Sequence, residues 1–396
     1  MKFLYHHRTL GRGGEGVHIA SLVRALDALG HTTMVVSPPG VDPLKMAGDS
    51  PVDKDKSQVR GINRIWKIVS CWVPDFFFEM LEIGYNMYVV FRLGPILQRR
   101  SQDVYYERYA FFMFMGVYLA KYFGWTVLLE VNEVVGVQRA RNQLLVPISK
   151  WFEKMVFKKA DVILTVSSFL KEEVLKRRGK TGSVHVIPNA VDSQVLETKE
   201  TGEHIRKRYK FDGYIVVGFA GWFDTWDRLD LLIDVVKDVH QEYPNVRLML
   251  VGNGPVATLL SEQVRNAQLE EVVVLTGPVP RSQVLSYIAA MDICVLPDSN
   301  VFGSPIVLFE FMGMGKAVIA PDLLPIRDII EDRKDGLIVQ RGDPSSLRQA
   351  LSLLLCDPAL RIELGKCARR KVYGKHTWHE NGKRVERFAS LSMDLS

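Results

Sequence analysis

Between Asp298 and Asp322 the chain reads Asp298-Ser299-Asn300-Val301-Phe302-Gly303-Ser304-Pro305-Ile306-Val307-Leu308-Phe309-Glu310, then Phe311-Met312-Gly313-Met314-Gly315-Lys316 and the apolar run Ala317 to Ala320. This order predicts a loop, a helix, a tight turn and a buried strand. Ser304 is a suitable N-cap and Pro305 a suitable first helical residue, because proline lacks the amide proton that would go unpaired there. Gly303 lets the backbone come close to whatever sits above the helix start. Free amide protons and the positive end of the helix dipole suit a phosphate. Glu310 lies roughly 9 Å farther along the axis at about 1.5 Å per residue. That is about the distance from a diphosphate to the ribose beyond it, and a carboxylate there can accept hydrogen bonds from ribose hydroxyls. The plain alternative is a capped helix whose glutamate is ordinary and exposed, or pairs with a neighbour such as Lys316.

The elements around this stretch repeat one pattern. Lys2 to His6 is a short buried strand, His7 to Gly16 a loop with Gly11, Gly13, Gly14 and Gly16, Val17 to Leu29 an amphipathic helix, and Thr32 to Val36 a second strand. Strand, glycine loop, helix and strand in this order open a doubly wound sheet. It is not the dinucleotide fingerprint, since the loop is longer and no acidic residue ends the second strand. Further strands are expected at Asp103–Glu107, Thr126–Val131, Val162–Val166 and Val184–Ile187. Asn132 and Glu133 follow the Thr126 strand, where polar residues of a parallel sheet point at a ligand. The pattern restarts at Ile215–Ala220, with a loop at Gly221–Asp227, a helix at Leu229–His240 and strands at Arg247–Val251, Val272–Leu275, Ile293–Leu296, Ala317–Ala320 and Gly336–Val339. This predicts an α/β chain of two doubly wound, Rossmann-like domains.

The chain of 396 residues is long enough for two domains, and its 47% hydrophobic and 24% charged residues fit a globular protein with an apolar tilt. A net charge of +6 and a pI near 9.0 fit an anionic ligand or an anionic membrane surface. No dense basic run or aromatic RNA-binding motif points to nucleic acid. Cys71, Cys294, Cys356 and Cys367 have neither zinc-like spacing nor a disulfide framework, so a reducing cytoplasm is expected. Met1 to Tyr5 reads as a first strand and not as a signal peptide. The apolar runs at Ile83–Phe91 and Tyr109–Ala120 are too short to span a bilayer. From Ile62 to Arg100 aromatics abound, among them Trp66, Trp72, Phe76, Phe77, Phe78, Tyr85, Tyr88 and Phe91. Either they pack on the sheet, or they form an apolar surface, flanked by Arg64, Lys67, Arg99 and Arg100, that touches a lipid-linked acceptor or the inner face of the cell membrane.

Two such domains with this motif in the second resemble the retaining nucleotide-sugar glycosyltransferases of the GT-B fold, specifically glycosyltransferase family 4. The resemblance rests on the Gly11–Gly16 loop, Val186-Ile187-Pro188-Asn189-Ala190-Val191-Asp192, Phe219-Ala220-Gly221, Val251-Gly252-Asn253-Gly254-Pro255 and Ser304 to Asp322. It implies an acceptor-binding domain over 1–196, a nucleotide-sugar-binding domain over 197–375 facing it across a cleft, and a C-terminal helix over 376–396 that crosses back to the first. It implies no metal and no cofactor, with a nucleotide-diphosphate sugar, by default UDP-linked, as co-substrate and a saccharide or lipid-linked acceptor. Amides around Gly303 to Val307, among them those of Ser304 and Ile306 on either side of Pro305, would hold the diphosphate and Glu310 the ribose. Arg12, Gly13, Gly14, Arg108, Asn189, Gly221, Trp222, Asn253, Val279, Asp298 and Phe302 complete the implied binding set. Asn132, Glu133, Arg228 and Gly303 are the residues nearest the chemistry.

Three positions depart from the family pattern. Phe302 stands where many relatives carry a second glutamate, which leaves Asp298 or Asn300 to cover part of that role. The loop after Gly221 carries Asp224 and Asp227 where relatives usually place cations, so Arg228 is the local positive charge. Asn132 stands where many relatives have a histidine, and an asparagine cannot act as an acid or base. Two other readings follow. A sugar-nucleotide epimerase of the same fold would need acid/base residues, for which Glu133 with His6 or His7 is the visible set. A non-catalytic nucleotide-sugar-binding protein would tolerate Phe302 and the acidic loop.

Overall fold

The computed structural model describes residues 1–11, 13–46, 75–99, 103–137, 143–179 and 182–394. Arg12, Arg64, Lys67, Trp66, Trp72, Cys71 and Arg100 lie outside them. The described residues form two compact units, one of those from 1–188 and 379–394 and one of 189–378. It crosses between them at Pro188–Asn189 and again at Trp378–His379.

The first unit is built on a parallel sheet of six strands, β1 (Lys2–His6), β2 (Thr32–Val36), β3 (Val104–Arg108), β4 (Thr126–Val131), β5 (Val162–Thr165) and β6 (Ser183–Val186), in the order β2-β1-β3-β4-β5-β6. Every residue of β3 and β4 is buried. Helices cover both faces of a parallel sheet, so its strands read as continuous apolar runs rather than alternating ones. The second unit repeats the architecture with β7 (Ile215–Trp222), β8 (Val246–Asn253), β9 (Val273–Leu275), β10 (Ile293–Val295), β11 (Ala317–Pro321) and β12 (Leu337–Val339), in the order β12-β11-β10-β7-β8-β9. The last helix, Trp378–Met393, crosses back to the first unit. There Asn381 Nδ2 donates to the Pro188 carbonyl at 2.8 Å and the Phe388 ring stacks on His185 at 3.8 Å.

Three boundaries differ from the expectation for the same reason. The first helix starts at Gly13, inside the expected glycine loop, and β7 and β8 run on through Trp222 and Asn253. In each place glycine serves close packing rather than a loop. A Cβ on Gly16 would lie 2.1 Å from the Gly11 carbonyl oxygen, and one on Gly252 would lie 1.8 Å from that of Gly221.

The aromatic stretch divides. Tyr85 and Tyr88 are half-buried on the helix Asp75–Gln98, and Val89, Leu93 and Leu97 are buried, but Phe76, Phe77 and Phe91 are exposed. Among the described residues no helix is long and apolar enough to cross a membrane.

A buried carboxyl in this unit makes stability pH-dependent. Glu153 accepts the Val135 amide at 2.9 Å and lies 3.1 Å from Arg177 Nε. Burial pushes its carboxyl up to about 7, although Arg177 pulls the other way. An unfolded glutamate titrates near ~4.3. Between those values the folded protein holds a proton that the unfolded chain has released. The stability from Glu153 is therefore full below about pH 4 and is lost as pH rises to about 7, a change on the order of 3 kcal/mol. Urea unfolding across this window is expected to show a falling component in the wild type that Glu153→Gln lacks.

Candidate functional site

In a doubly wound sheet, ligands bind beyond the carboxyl ends of the strands at the point where the strand order reverses. In the second unit that point lies between β7 and β10. The loop after β7 carries Asp224, Asp227 and Arg228, and the loop after β10 carries Asp298 to Pro305. Both stretches singled out in the sequence thus flank one switch point.

The β7 loop is closed by its own acids. Asp227 Oδ2 accepts the Asp224 amide at 3.0 Å, and Asp224 Oδ1 accepts the Thr225 amide at 3.0 Å. Burial, with the charges of Asp224 and Asp298 added, pushes the Asp227 carboxyl up to about 7, although the Asp224 amide opposes the shift. Arg228 adopts a left-handed backbone at φ 50° and gives its guanidinium to Asp230, at 3.1 to 3.2 Å. Trp222 is exposed at the end of β7, while Asn253 at the end of β8 accepts the Phe223 amide on its carbonyl at 2.9 Å. Val279 packs against the core of this unit.

After β10, Asp298 is buried and holds Arg341 Nε at 2.7 and 3.0 Å. Asn300 Oδ1 accepts the amides of Phe302 at 3.3 Å and Gly303 at 2.5 Å, which folds the loop before the helix. The helix runs from Ile306 to Gly313, and its N-cap is Pro305, without a side-chain cap. The expected cap at Ser304 is thus corrected. Ser304 Oγ instead accepts the Asn189 amide at 3.0 Å, and Asn189 Nδ2 donates to the Ser304 carbonyl at 2.5 Å. This ties the Pro-Asn-Ala-Val-Asp motif to the helix start. Ile306 and Val307 occupy the first turn, where an amide has no intrahelical acceptor.

Glu310 is buried one turn farther on and accepts a hydrogen bond from Arg281. Burial weakens the Arg281 charge, but the Glu310 carboxylate outweighs it and holds the guanidinium above its ordinary range. Lys316 is not the partner: its ammonium donates to the carbonyls of Ala289 and Met291, both at 2.7 Å. Glu310 is therefore neither an ordinary exposed glutamate nor paired as expected.

In the first unit the switch point lies between β1 and β3. Gly13 and Gly14 open the helix after β1, and Arg12 is outside the described residues. Arg108, at the end of β3, is buried and donates to Glu130 Oε1 at 2.5 Å. Asn132 Nδ2 donates to the same oxygen at 2.5 Å, while His18 Nε2 and the Tyr106 hydroxyl reach Oε2 at 2.9 and 2.7 Å. Burial alone would raise the Glu130 carboxyl, but the charges of His18 and Arg108 and these hydrogen bonds hold it well below the carboxylate range. Arg108 and Asn132 are thus engaged by a carboxylate, and Glu133 is half-buried beyond them. His6 is buried against the Tyr105 hydroxyl at 2.9 Å and Glu107 at 3.0 Å. His7 bonds Ser37 at 2.8 Å, and burial lowers its imidazole to about 3. Both histidines are buried and held by these partners.

Among the residues of these arrangements that escaped the sequence are Glu130, His18, Tyr106, Arg281 and Arg341. Glu130 had a signal, since a carboxylate inside an otherwise apolar strand has to be paired. Arg281 and Arg341 had none, since their partners lie 29 and 43 positions away.

Comparison with known proteins agrees with this architecture. Residues 12–195 match the profile described as Glycosyltransferase Family 4, and residues 214–357 match that of Glycosyl transferases group 1. Alpha-D-kanosaminyltransferase of Streptomyces kanamyceticus is 24% identical over 56% of this chain and 58% of its own length. A GDP-mannose-dependent alpha-(1-6)-phosphatidylinositol monomannoside mannosyltransferase of Mycolicibacterium smegmatis is 22% identical over 62% and 66%. The chain thus spans 58% and 66% of the length of these curated relatives. A glycosyltransferase of Rickettsia africae superposes with a TM-score of 0.75 at 16% identity, covering 100% of this chain and 99% of that one. Anabaena Alr3699/HepE in complex with UDP superposes with a TM-score of 0.70 at 14% identity, covering 98% and 100%. These structural likenesses show the fold. Both profiles are thus matched in order on two doubly wound units: the chain joins a Glycosyltransferase Family 4 region to a Glycosyl transferases group 1 region on the GT-B fold.

Proposed function

We propose that this chain is a retaining, metal-independent glycosyltransferase. It moves a sugar from a nucleoside-diphosphate sugar, with uridine as the base, to a saccharide or lipid-linked acceptor in cytoplasmic polysaccharide or glycoconjugate synthesis. The observation that carries the reading is the helix Ile306–Gly313 at the second switch point, with Glu310 buried one turn in. Its first-turn amides and dipole can hold a diphosphate as negative charge grows on it, without help from a metal. Glu310, steadied by Arg281 on one oxygen, accepts from the ribose on the other. No residue is assigned as catalytic base, because the departing phosphate takes the acceptor proton in this reading.

The HepE complexes with UDP and UDP-glucose support uridine, whereas the GDP-mannose-dependent relatives favour guanosine as a second reading. Incubation with UDP- and GDP-sugars, followed by anomer-resolved NMR, tests the proposal. Slow release of nucleoside diphosphate without acceptor and an α-linked product with one are expected from an α-linked donor. An epimerised donor, or binding without turnover when acceptors are supplied, would overturn it.

Asp227 adds a pH dependence to the same site. It is neutral below about 7 and negative above. Beside a bound diphosphate, that new charge is expected to weaken nucleotide affinity about three- to tenfold between about pH 6.5 and 8.5. Calorimetric titrations should show the decline in the wild type and a flatter profile in Asp227→Asn.

A further inference from the structure

We propose that the helices Asp75–Gln98 and Val146–Lys159 of the first unit form a face that docks on an anionic lipid bilayer. A helix on a globular surface ordinarily turns its polar side to water. On the first of these helices Phe76, Phe77, Met80, Leu81, Met87 and Phe91 are 43% to 75% exposed. The glutamates within that span are engaged elsewhere. Glu79 is buried and accepts the amides of Leu144 and Leu145 at 2.8 and 2.7 Å, and Glu82 holds Arg8 at 2.8 Å.

The Glu79 bonds bring Leu144 beside the turn that carries Phe76 and Met80. Phe114 joins the two helices, because its amide donates to Asn86 at 3.0 Å and its ring stacks on Phe152 at 4.6 Å. Leu144, Ile148 and Trp151 extend the apolar face and are 44% to 56% exposed. On the same helix Lys150, Lys154 and Lys158 recur every four residues and are all exposed, whereas its one acid, Glu153, is buried. Arg92 and Arg99 are exposed toward the end of the first helix.

Apolar side chains beside an all-positive stripe match the layers of an anionic membrane, with acyl chains beneath acidic headgroups. A second copy of this chain fits poorly, because a two-fold contact would bring these lysines toward one another. Neither helix qualifies as a membrane span. The face therefore rests on the bilayer without crossing it.

Flotation of the full chain with vesicles tests this. Binding is expected to phosphatidylcholine vesicles with about 30% phosphatidylglycerol at low salt, and to fall away without the anionic lipid or at about 0.5 M salt. Phe77→Ser/Phe91→Ser should lower partitioning at least tenfold. Lys150→Glu/Lys154→Glu/Lys158→Glu should lower it on the order of a hundredfold, from about fivefold per cation near the surface. Both variants should keep the wild-type melting temperature and nucleotide affinity, which separates this surface from the site in the second unit. Quenching of tryptophan fluorescence by brominated lipid, diminished in Trp151→Phe, supplies a reading that does not depend on those variants. Absence of flotation at low salt, undiminished partitioning of the variants, or a dimer that the Phe77→Ser/Phe91→Ser variant dissolves would overturn the proposal.

Discussion

Replacing Glu310 with alanine is expected to lower both nucleotide affinity and stability, and a second substitution should separate the two losses. The binding loss follows from removing the charged acceptor proposed to meet the ribose hydroxyls, and should be about 1.5–3 kcal/mol, or about tenfold to over a hundredfold. The stability loss follows from the partner left behind. Removing one member of a fully buried ion pair costs about 3–5 kcal/mol, because the other charge stays uncompensated. The Arg281 side chain is 38% exposed, so water screens it and a smaller loss of about 1–2 kcal/mol is expected. In Glu310→Ala/Arg281→Ala no charge is stranded, so stability should recover in part while affinity stays low. If the pair were only a structural tie, the double variant would bind nucleotide like the wild type.

Glu130→Ala is expected to be the most damaging single change to the first unit. The Glu130 carboxylate accepts from His18, Tyr106, Arg108 and Asn132 in a buried setting. Its removal strands the Arg108 guanidinium, whose side chain is 10% exposed, and should cost about 3–5 kcal/mol. That corresponds to a fall on the order of 10 °C in the midpoint of a unit this size. The folded carboxyl lies well below its ordinary range, so its contribution is fully present above the unfolded pKa and is lost as pH falls through the acid range. Differential scanning calorimetry of wild type and Glu130→Ala should therefore show the gap at neutral pH narrowing as the solution is made acid. A midpoint within about 2 °C of wild type at neutral pH would mean that the network contributes little.

The parallel strands were legible because burial on both faces leaves an apolar run, as in Ile293–Val295 and Ala317–Ala320. Both doubly wound units could be read from those runs and the helices between them. Boundaries slipped where glycine admits a neighbouring backbone, as at Gly16 and Gly252, since a close approach and a loop call for the same residue. Local rules also failed where a distant partner claimed the side chain. Ser304 has the type and place of an N-cap, yet its hydroxyl serves Asn189, 115 positions away. Glu310 was found from helix spacing, but Arg281 and the pairing of Asp298 with Arg341 depend on how loops meet over the sheet. Spacing along the chain carries no record of such meetings. The acids of the Asp224–Asp227 loop were visible, but their use in closing that loop was not.

The most direct measurement is calorimetric titration of UDP and GDP into the wild type and into Glu310→Ala/Arg281→Ala, with melting curves recorded beside them. Saturable binding is expected in the wild type, strongest for UDP, and at least tenfold weaker binding in a double variant that remains folded. Wild-type affinity in the folded double variant, or no binding of either nucleotide to the wild type, would contradict the assignment of the Ile306–Gly313 helix as the nucleotide site.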